Sequence, residues 1–472
     1  MAVLDAPSRL LDTITAPELR GSVAEVRGLA LRVADLPAPV GAQVRIEVGN
    51  GAQRVAAVAG VAGVAGEVVA IEHDRTIVMP LGPTTGVRAG DQVVLVRQHQ
   101  SAGVGPSLLG RVLNGLGEPI DGRGPLHDTV MQPLNPAPVD PLDRPVIDQP
   151  LATGVRAIDA ITPIGRGQRL GVFAAPGVGK STLLGSIARH TAADVSVIAL
   201  IGERGREVRD FLEMTLDADG LARSVVVCAT GDEPALMRIR AAQLACAVAE
   251  HFRDAGNDVL LVMDSVTRFC HAQRQVGLAA GEPPATRGYP PSVFSSLPEL
   301  LERSGRTSRG SITGLYSILV EADDMNEPIS DACRGILDGH VLLSRSLAEK
   351  GHYPAIDVLA SISRVAEQII DAEHKAARQQ VLRLVSAYAQ VEELLNIGAY
   401  AHGSNPEYDL AIACREPIDQ LLQQGVGEGA ASSDFARTRA QLLAVAQQIE
   451  QQRQQLQRRQ RGGGGRVAGP GG

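Results

Sequence analysis

The chain has 472 residues, 44% of them hydrophobic and 21% charged, a globular mix that excludes wholesale disorder and predicts about three domains. Its 45 Lys and Arg residues face 53 Asp and Glu residues, and the net charge of −8 argues against a protein held to nucleic acid by a basic face. With six Phe, six Tyr and no Trp, the chain is also too poor in aromatic residues to build a base-stacking platform.

The N-terminal part of the chain predicts a small β-barrel. Between residues 23 and 98, short runs rich in Val and Ile alternate with Gly-rich turns. The predicted strands are 44–48, 66–71, 75–79 and 91–96. Because four or more short strands at this spacing favour a small closed barrel, we assign residues 1–100 to a barrel domain with a leading segment. Acidic residues interrupt the apolar pieces of the first 30 residues, so no signal peptide is predicted.

A parallel β-sheet is predicted to follow. Residues 101–150 are Pro-rich and indicate an irregular connection, after which apolar strands alternate with helical stretches. The strands are 169–173, 195–200, 224–228 and 259–263. Strands that are apolar on both faces and separated by helices are typical of a parallel sheet covered by helices on both sides. We assign residues 101–365 to this α/β domain.

The C-terminal part predicts helices only. Helix-period patterns cover 381–395, 412–422 and 435–456, which indicates a helical domain over residues 366–460. Residues 461–472 are Gly-rich and predict a disordered tail. Because the stretch 451–472 contains five Arg and no acidic residue, contact with an anionic surface is the alternative for this end of the chain.

The cysteines and the hydropathy pattern indicate the cytoplasm. The five cysteines stand alone, none of them in a Cys-x-x-Cys pair, which fits reduced thiols packed as small hydrophobic residues. No run of about 18 apolar residues exists, so no membrane-spanning helix is predicted. We therefore expect a soluble cytoplasmic protein.

The strongest functional motif is a phosphate-binding loop at residues 174–182, with the sequence AAPGVGKST. It follows a predicted strand and opens a predicted helix, the context that such a loop requires. Gly177 and Gly179 would turn backbone N–H groups toward phosphate oxygens. Lys180 would reach the β- and γ-phosphates, and Ser181 would ligate Mg²⁺. Ala174 replaces the usual first glycine, and the alternative is a Gly-rich turn that binds no ligand.

Two further strand ends carry carboxylates. Asp264 ends the strand 259–263, where it would hold Mg²⁺ through water beside the loop lysine, unless it is merely a polar strand end. Glu203 lies in the run GERGRE at 202–207, after the strand 195–200. At the carboxyl edge of such a sheet Glu203 could polarise an attacking water, whereas the alternative is a solvated cluster of charges.

Together these stretches resemble the catalytic ATPases related to the rotary ATP synthase β subunit. The stretches that carry this resemblance are the loop, ERGRE at 203–207, MDSVTRF at 263–269 and the run 110–121. Others are most similar to the protein-export ATPases of type III secretion systems and of the flagellum: GEPP at 281–284, GYPPSVF at 288–294, EADD at 321–324 and HYPAIDVL at 352–359. The likeness spans about residues 25–425. It implies a P-loop, RecA-like parallel-sheet core between an N-terminal small β-barrel and a C-terminal helical domain.

The resemblance also implies a role for each matching position. The catalytic residues would be Glu203, Lys180, Arg204 and Arg364. The nucleotide would be held by Pro176, Gly177, Val178, Gly179, Lys180, Ser181, Thr182 and Tyr353. The Mg²⁺ site would comprise Ser181, Asp264 and Glu207.

Within this set, the resemblance makes Glu203 the catalytic carboxylate, with Arg204 beside it near the phosphates. Arg268 would lie near the γ-phosphate, and Tyr353 would stack on adenine. Arg364 would be offered to the nucleotide of the neighbouring subunit; judged from the sequence alone, it indicates only a surface ion pair.

The implied function is Mg²⁺-dependent ATP hydrolysis that energises protein export by a type III secretion system, releasing or unfolding chaperone-bound cargo. The chain would act as a homohexamer with ATP and Mg²⁺. Its implied partners are chaperone–effector complexes, the central stalk, peripheral stator proteins and the inner-membrane export gate, so that it would associate peripherally with the membrane apparatus. The C-terminal helices would dock cargo or stalk, unless they only cover one end of the core.

Other functions remain as alternatives. A non-catalytic nucleotide-binding subunit of a rotary machine would lack the carboxylate found at Glu203. A hexameric nucleic-acid motor would need basic, aromatic loops that the composition does not favour. Between export systems, the loop and residues 264–294 favour a non-flagellar injectisome, whereas GAY at 398–400 and GSNP at 403–406 favour the flagellum. We expect the non-flagellar type.

Overall fold

The structure, a computed structural model, describes residues 18–48, 63–320, 324–425, 427–428 and 434–463, with side chains up to residue 458. The leading segment up to residue 17, the part of the predicted tail from residue 464 onward, and most of the EADD motif lie outside the described residues.

The N-terminal domain is a closed barrel of antiparallel strands, as predicted. In chain order its six strands are Arg20–Arg27, Ala30–Ala34, Gln43–Glu47, Val64–Glu72, Arg75–Pro80 and Gln92–Arg97. Around the barrel they follow the order first, second, fifth, fourth, third, sixth, so every strand has two neighbours. Alternate side chains such as Leu31, Val33 and Ile46 fill the interior. The sequence pattern missed the first two strands, of which the first has most of its side chains exposed and the second has only five residues.

A buried charged contact joins the barrel to the central domain. Arg240, only 1% exposed, extends from a central-domain helix, and its Nη1 lies 3.5 Å from Oε2 of Glu67 on the fourth barrel strand. Burial raises the pKa of the Glu67 carboxyl to about 7, against the opposing charge of Arg240. With its side-chain amide turned so that the oxygen faces the guanidinium, Gln43 accepts from both terminal nitrogens of Arg240 at 2.9 Å. These polar groups fix the barrel against the helix.

The central domain is built on a nine-stranded sheet. From one edge to the other its strands are Ile356–Ser363, Gly339–Leu343, Arg169–Ala174, Ser311–Leu319, Asp258–Asp264, Val195–Ile201, Ser224–Ala229 and Val112–Leu113, with Gly305–Arg306 paired to Ser311–Leu319. Seven of these strands run parallel, and only Ile356–Ser363 and Gly305–Arg306 are antiparallel to their neighbours. The predicted parallel sheet is therefore confirmed, and its parallel strands end at one common edge.

Helices cover both faces of this sheet. They are Arg156–Ile161, Lys180–His190, Gly205–Asp210, Asp217–Ala222, Ala235–Asp254, Val266–Ala279, Pro291–Leu301, Pro328–Ile336 and Arg345–Glu349, with a π-helical turn at Phe211–Leu216 and 3₁₀ turns at Pro106–Leu108, Pro141–Asp143 and Thr286–Gly288. One hydrophobic core contains Leu244 and Phe269, and a second contains Ile158 and Leu184. A separate core on each face explains why the central strands are apolar on both sides.

The prediction of an irregular connection over residues 101–150 is wrong in part. Ser101–Val104 pairs with Val130–Pro133, and Val112–Leu113 adds a strand to the edge of the main sheet. A further pair joins Pro150–Leu151 to Ile164–Gly165. These strands have two to four residues each, too few to show an alternating pattern in a Pro-rich sequence.

After Ser363 the described residues form helices and no strand, as the sequence predicts. The helices are Ala366–Ile369, Ala372–Asn396, Pro406–Ala413, Arg415–Leu422 and Phe435–Gly463. The predicted helix over 412–422 is two helices that meet at Cys414, and the last helix continues past the predicted start of the tail at residue 461. No helix among the described residues has both the length and the apolar composition needed to cross a bilayer.

The C-terminal helices pack directly on the central domain. Val381, Leu384 and Leu442 belong to the same hydrophobic core as Ile158 and Leu184. At this junction the fully buried His374 contacts the carbonyl oxygen of Ala160 through Nε2 at 2.9 Å, and its ring stacks on Phe435. The C-terminal helices, which we call the C-terminal bundle, thus cover one end of the central core.

Candidate active site

The predicted phosphate loop connects the strand Arg169–Ala174 to the helix Lys180–His190. Gly177 and Gly179 have φ angles of 83° and 92°, a left-handed conformation that favours glycine and lets successive N–H groups face an anion. Ala174 is fully buried within the sheet. Since this position belongs to the strand rather than to the turn, the alanine there leaves the loop unchanged.

Lys180 and Asp264 form an ion pair across the sheet. The strand Ser311–Leu319 lies between the strands that precede these two residues, and the lysine Nζ reaches over it to donate to Oδ1 of Asp264. Asp264 is 3% exposed, so water reaches little of its carboxylate, and the Lys180 ammonium is the cation that compensates its negative charge. The exposed Ser181 follows Lys180 directly at the start of the helix.

Glu203 lies at the same edge, two residues beyond the strand Val195–Ile201. Its carbonyl oxygen accepts from the N–H of Gly231 at 3.0 Å, which fixes the loop. Burial, and after it the negative charge of Asp264, raises the pKa of the half-buried Glu203 carboxyl to about 7, against the opposing charges of Lys180 and Arg268. A carboxyl group with its pKa near neutrality is suited to hold and polarise water.

Arg268 supplies an unsatisfied donor beside these carboxylates. Its side chain lies along Gly202, where a Cβ atom would come within 3.0 Å of the Cβ of Arg268. The Nε of Arg268 is buried and has no hydrogen-bond partner among the described residues. A buried donor without a partner is costly, so this nitrogen is suited to an anionic ligand such as a phosphate.

Two predicted site residues of the run GERGRE at 202–207 are more open to solvent. The side chain of Arg204 is 82% exposed and pairs at 3.5 Å with Glu207, whose side chain is 49% exposed. The structure thus places Glu207 beside the Glu203 loop and leaves the side chain of Arg204 mostly in solvent. Contact between Arg204 and a phosphate stays a prediction.

A cavity of about 220 Å³ adjoins the loop. Tyr353 lies on one side, with ring atoms 3.8 and 3.9 Å from the position that a Cβ on Gly179 would occupy. The lining residues are Val155, Val178, Gly179, Thr182, Leu183, Ser186, Leu343, Tyr353, Pro354, Ala355, Gln424 and Gly425. A mostly apolar slot with one exposed aromatic ring suits a nucleotide base.

Sequence reasoning missed Gln424 and Gly425. They come from the C-terminal domain, just beyond the helix Arg415–Leu422. A Gln-Gln-Gly run after a helix carries no signal for nucleotide binding, so only the folded structure places it at the cavity.

Arg364 lies at the amino-terminal ends of the parallel strands, opposite the carboxyl ends where the phosphate loop begins. The strand that precedes it, Ile356–Ser363, is antiparallel to Gly339–Leu343 and so carries Arg364 away from the phosphate loop. Since strands rise about 3.3 Å per residue, Arg364 and the start of the phosphate loop are roughly 15 Å apart along the strand direction. The exposed guanidinium donates to the carbonyl oxygen of Arg334 at 3.2 Å. The structure therefore does not bring Arg364 to the phosphate loop of its own chain.

Comparison with known families and structures agrees with this geometry. Residues 154–363 match the model of the ATP synthase alpha/beta family, nucleotide-binding domain, and residues 370–444 match that of the T3SS EscN ATPase C-terminal domain. The flagellum-specific ATP synthase of Treponema pallidum is 48% identical over 90% of this chain and 94% of its own length. The chain belongs to the family of type III secretion and flagellar ATPases. The resemblance stated from sequence is thereby confirmed, as is the expected ATPase activity.

Other members of the type III secretion and flagellar ATPase family match as broadly. The type 3 secretion system ATPase of Xanthomonas euvesicatoria is 48% identical over 88% of this chain and 92% of its own length. The solved structure of the assembled ATPase EscN from enteropathogenic E. coli superposes with a TM-score of 0.83 at 42% identity, covering 90% of this chain and all of that one. EscN in complex with its central stalk EscO gives a TM-score of 0.80 at 41% identity.

Proposed function

We propose that this ATPase energises protein export by hydrolysing ATP at the edge of the sheet where Lys180, Glu203 and Asp264 meet. The observation that supports the proposal most directly is the ion pair of Lys180 with Asp264, beside a carboxyl group whose pKa is raised. Phosphoryl transfer to water needs positioning and charge neutralisation more than covalent chemistry, and this cluster supplies both.

In this proposal each residue has one task. The N–H groups from Gly177 to Gly179 and the Lys180 ammonium hold the phosphates. Glu203 orients the attacking water, and Arg268 offers its free Nε to the γ-phosphate.

The oxygen ligands present suit Mg²⁺, which accepts hydroxyl and carboxylate oxygens and usually arrives with the nucleotide. Ser181, Asp264 and Glu207 would hold it, directly or through water. Bound there, the ion would neutralise charge on the phosphate oxygens. Asp264 would then exchange part of its contact with Lys180 for the metal, which frees the lysine for phosphate.

We further propose that the chain works as a homohexameric ring in which Arg364 completes the site of a neighbouring subunit. The position of Arg364 at the far edge from its own phosphate loop supports this arrangement, as does the similarity to EscN, which has been solved as an assembled ATPase. Chaperone–effector complexes, stator proteins and the inner-membrane export gate remain proposed partners, with peripheral attachment to the membrane apparatus.

We also propose that the tip of the C-terminal bundle binds the central stalk, by analogy with EscN in complex with EscO. Leu394 and Ile397, at the end of the helix Ala372–Asn396, are 39% and 75% exposed. Exposed apolar side chains at a helix end suit a protein contact. Two acidic positions nearby are poorer probes, because Glu392 pairs with Lys350 at 2.8 Å and Glu407 pairs with Arg383.

Replacing Ile397 by aspartate should weaken binding of the purified stalk protein at least tenfold, because a charge would replace an apolar contact. Basal ATP hydrolysis should stay within about twofold, a change of under ~0.5 kcal/mol in the activation free energy. A suitable control is Val40→Asp, an equally drastic change at a 61% exposed position of the barrel. Unchanged stalk affinity in Ile397→Asp would argue that the bundle tip is not the contact.

The proposed role in export, and the non-flagellar prediction, are tested together in the host. The relatives named for the two systems match at the same 48% identity, so similarity does not choose between them. A strain lacking the gene should lose secretion of injectisome substrates and keep its flagella and motility, and the plasmid-borne gene should restore secretion. Loss of flagella with normal injectisome secretion would assign the flagellar role instead, and loss of neither would reject the role in export.

A further inference from the structure

Arg238 is a buried arginine without a carboxylate partner among the described residues. It lies on the first turn of the helix Ala235–Asp254 and is 9% exposed. Its Nη2 donates to Oε1 of Gln275 at 2.9 Å, and its Nε is buried and unpaired within the described part of the chain. Two residues further along, the buried Arg240 differs, because it pairs with Glu67. A buried charge bonded to a neutral amide instead of a carboxylate is costly, so we expect the charge of Arg238 to serve a function.

The amide that holds Arg238 shares a helix face with Arg268. Positions 268 and 275 are about two turns apart on the helix Val266–Ala279, so both side chains project from one face. Because helical side chains lean toward the N-terminus, the amide of Gln275 is displaced toward Arg268 and holds Arg238 there. Burial lowers the pKa of Arg238, and the positive charge of Arg268 lowers it further, against the opposing charge of Glu233. The two guanidinium groups are therefore close enough to repel each other.

The charge of Arg238 favours one of two directions for the side chain of Arg268. One direction leads along Gly202, next to Glu203, to the edge where the phosphates are proposed to bind. The other leads back along the helix toward the amide of Gln275. Arg238 already occupies that amide and repels a second guanidinium, so it disfavours the backward direction. The buried Nε of Arg268, which has no partner among the described residues, thus stays available at the phosphate edge.

We propose that Arg238 is a positioning residue that, by its charge and its bond to Gln275, holds the guanidinium of Arg268 toward the γ-phosphate. The inference rests on the proposed contact between Arg268 and the γ-phosphate. Arg238 acts through Arg268 in this arrangement and needs no contact of its own with the nucleotide. Its contribution is therefore confined to ligands that carry a γ-phosphate, which ADP lacks.

The test compares the affinities for ADP and for a non-hydrolysable ATP analogue. In Arg238→Gln the affinity for the analogue should fall about tenfold, on the scale of one hydrogen bond to a charged group, and that for ADP should stay within about twofold. Arg238→Lys keeps the charge and should recover most of the lost affinity. The matched control is Arg253→Gln: Arg253 is 7% exposed at the other end of the same helix and pairs with Asp254 at 2.9 Å. It should change neither affinity.

A surface substitution tests the charge itself and keeps the proposal testable if Arg238→Gln folds poorly. Gln275 is exposed, so Gln275→Glu places a carboxylate against the guanidinium of Arg238 without disturbing the core. Affinity for the analogue should fall about threefold, less than in Arg238→Gln because water screens an exposed carboxylate, and that for ADP should not change. A merely steric role of Arg238 predicts no effect. Gln273→Glu, which adds the same charge on another face of the helix, is the control.

A double variant shows whether Arg238 acts through Arg268. Arg268→Gln alone should weaken binding of the analogue and spare ADP. Adding Arg238→Gln should cost less than about a further threefold, because the first change has already removed the group that Arg238 positions. A larger further loss would mean that Arg238 acts independently of Arg268.

Two other results would overturn the inference. Equal weakening of ADP and the analogue in Arg238→Gln would reduce Arg238 to a stabilising contact. Unchanged binding of the analogue in both Arg238→Gln and Gln275→Glu would remove Arg238 from the site. These results differ from failure of the proposed function, which would appear as equal weakening of both nucleotides in Arg268→Gln or as a wild-type protein that hydrolyses no ATP.

Discussion

Replacing Arg364 by alanine should lower ATP hydrolysis by roughly 10³–10⁵-fold, the range for an arginine that acts in trans on phosphoryl transfer. Nucleotide binding and folding should be preserved. The guanidinium is exposed and donates to one backbone carbonyl, that of Arg334, and the backbone N–H of Arg364 keeps its bond to Asp338 in the variant. The loss should appear in kcat measured under conditions where rings assemble.

Mixing experiments decide whether the arginine acts between subunits. Neither Arg364→Ala nor Lys180→Ala alone should be active, but a mixture should recover part of the activity, since an intact Lys180 site can meet an intact Arg364 from its neighbour. Arg309→Ala is the control, an exposed arginine just before the strand Ser311–Leu319 and so at the same edge of the sheet. Absence of recovery in demonstrably mixed rings would count against a shared site.

Replacing Glu203 by glutamine should lower kcat by roughly 10²-fold or more while ATP still binds, on the scale of a positioned general base. Glutamine keeps the size of the side chain and leaves the backbone bond from Gly231 to residue 203 in place, but it removes the negative charge that polarises water. Purified protein should therefore bind a fluorescent ATP analogue with near wild-type affinity and release little phosphate.

Glu213→Gln is the matched control for that experiment. Glu213 lies ten residues further along, its side chain is 64% exposed, and it pairs with Arg209 at 2.9 Å on the protein surface. It should hydrolyse ATP normally. Turnover near the wild-type rate in Glu203→Gln would mean that another group orients the water.

The sequence predicts the phosphate end of the site well because local patterns determine it. Lys180 and Glu203 follow strands of a parallel sheet and Asp264 ends one, and such strands end at one common edge. Once the sheet is predicted from its apolar runs, all three residues are expected at that edge. Their contact depends in addition on the order of the strands, which no local pattern encodes.

The base end of the site is different. Gln424 bonds residues that lie 268 and 270 positions earlier in the chain, and nothing in its local sequence indicates that contact. Arg364 poses a related difficulty, since its partner within the chain is a backbone carbonyl and its proposed task lies in another subunit. For both residues the interaction depends on tertiary or quaternary packing, which no local pattern encodes.

The hydrophobic core shared by the C-terminal helices and the central domain has a consequence for how mutants of this protein should be interpreted. Since Val381 and Leu442 pack in the same core as Leu184 of the phosphate-loop helix, a chain cut before residue 366 would leave an apolar face of the central sheet open to water. Its misfolding and aggregation would mimic a loss of cargo or stalk recognition. Deleting the barrel would do comparable harm, because Met79 packs in the other core of the central domain and the loss of Glu67 and Gln43 would leave the buried guanidinium of Arg240 without these partners.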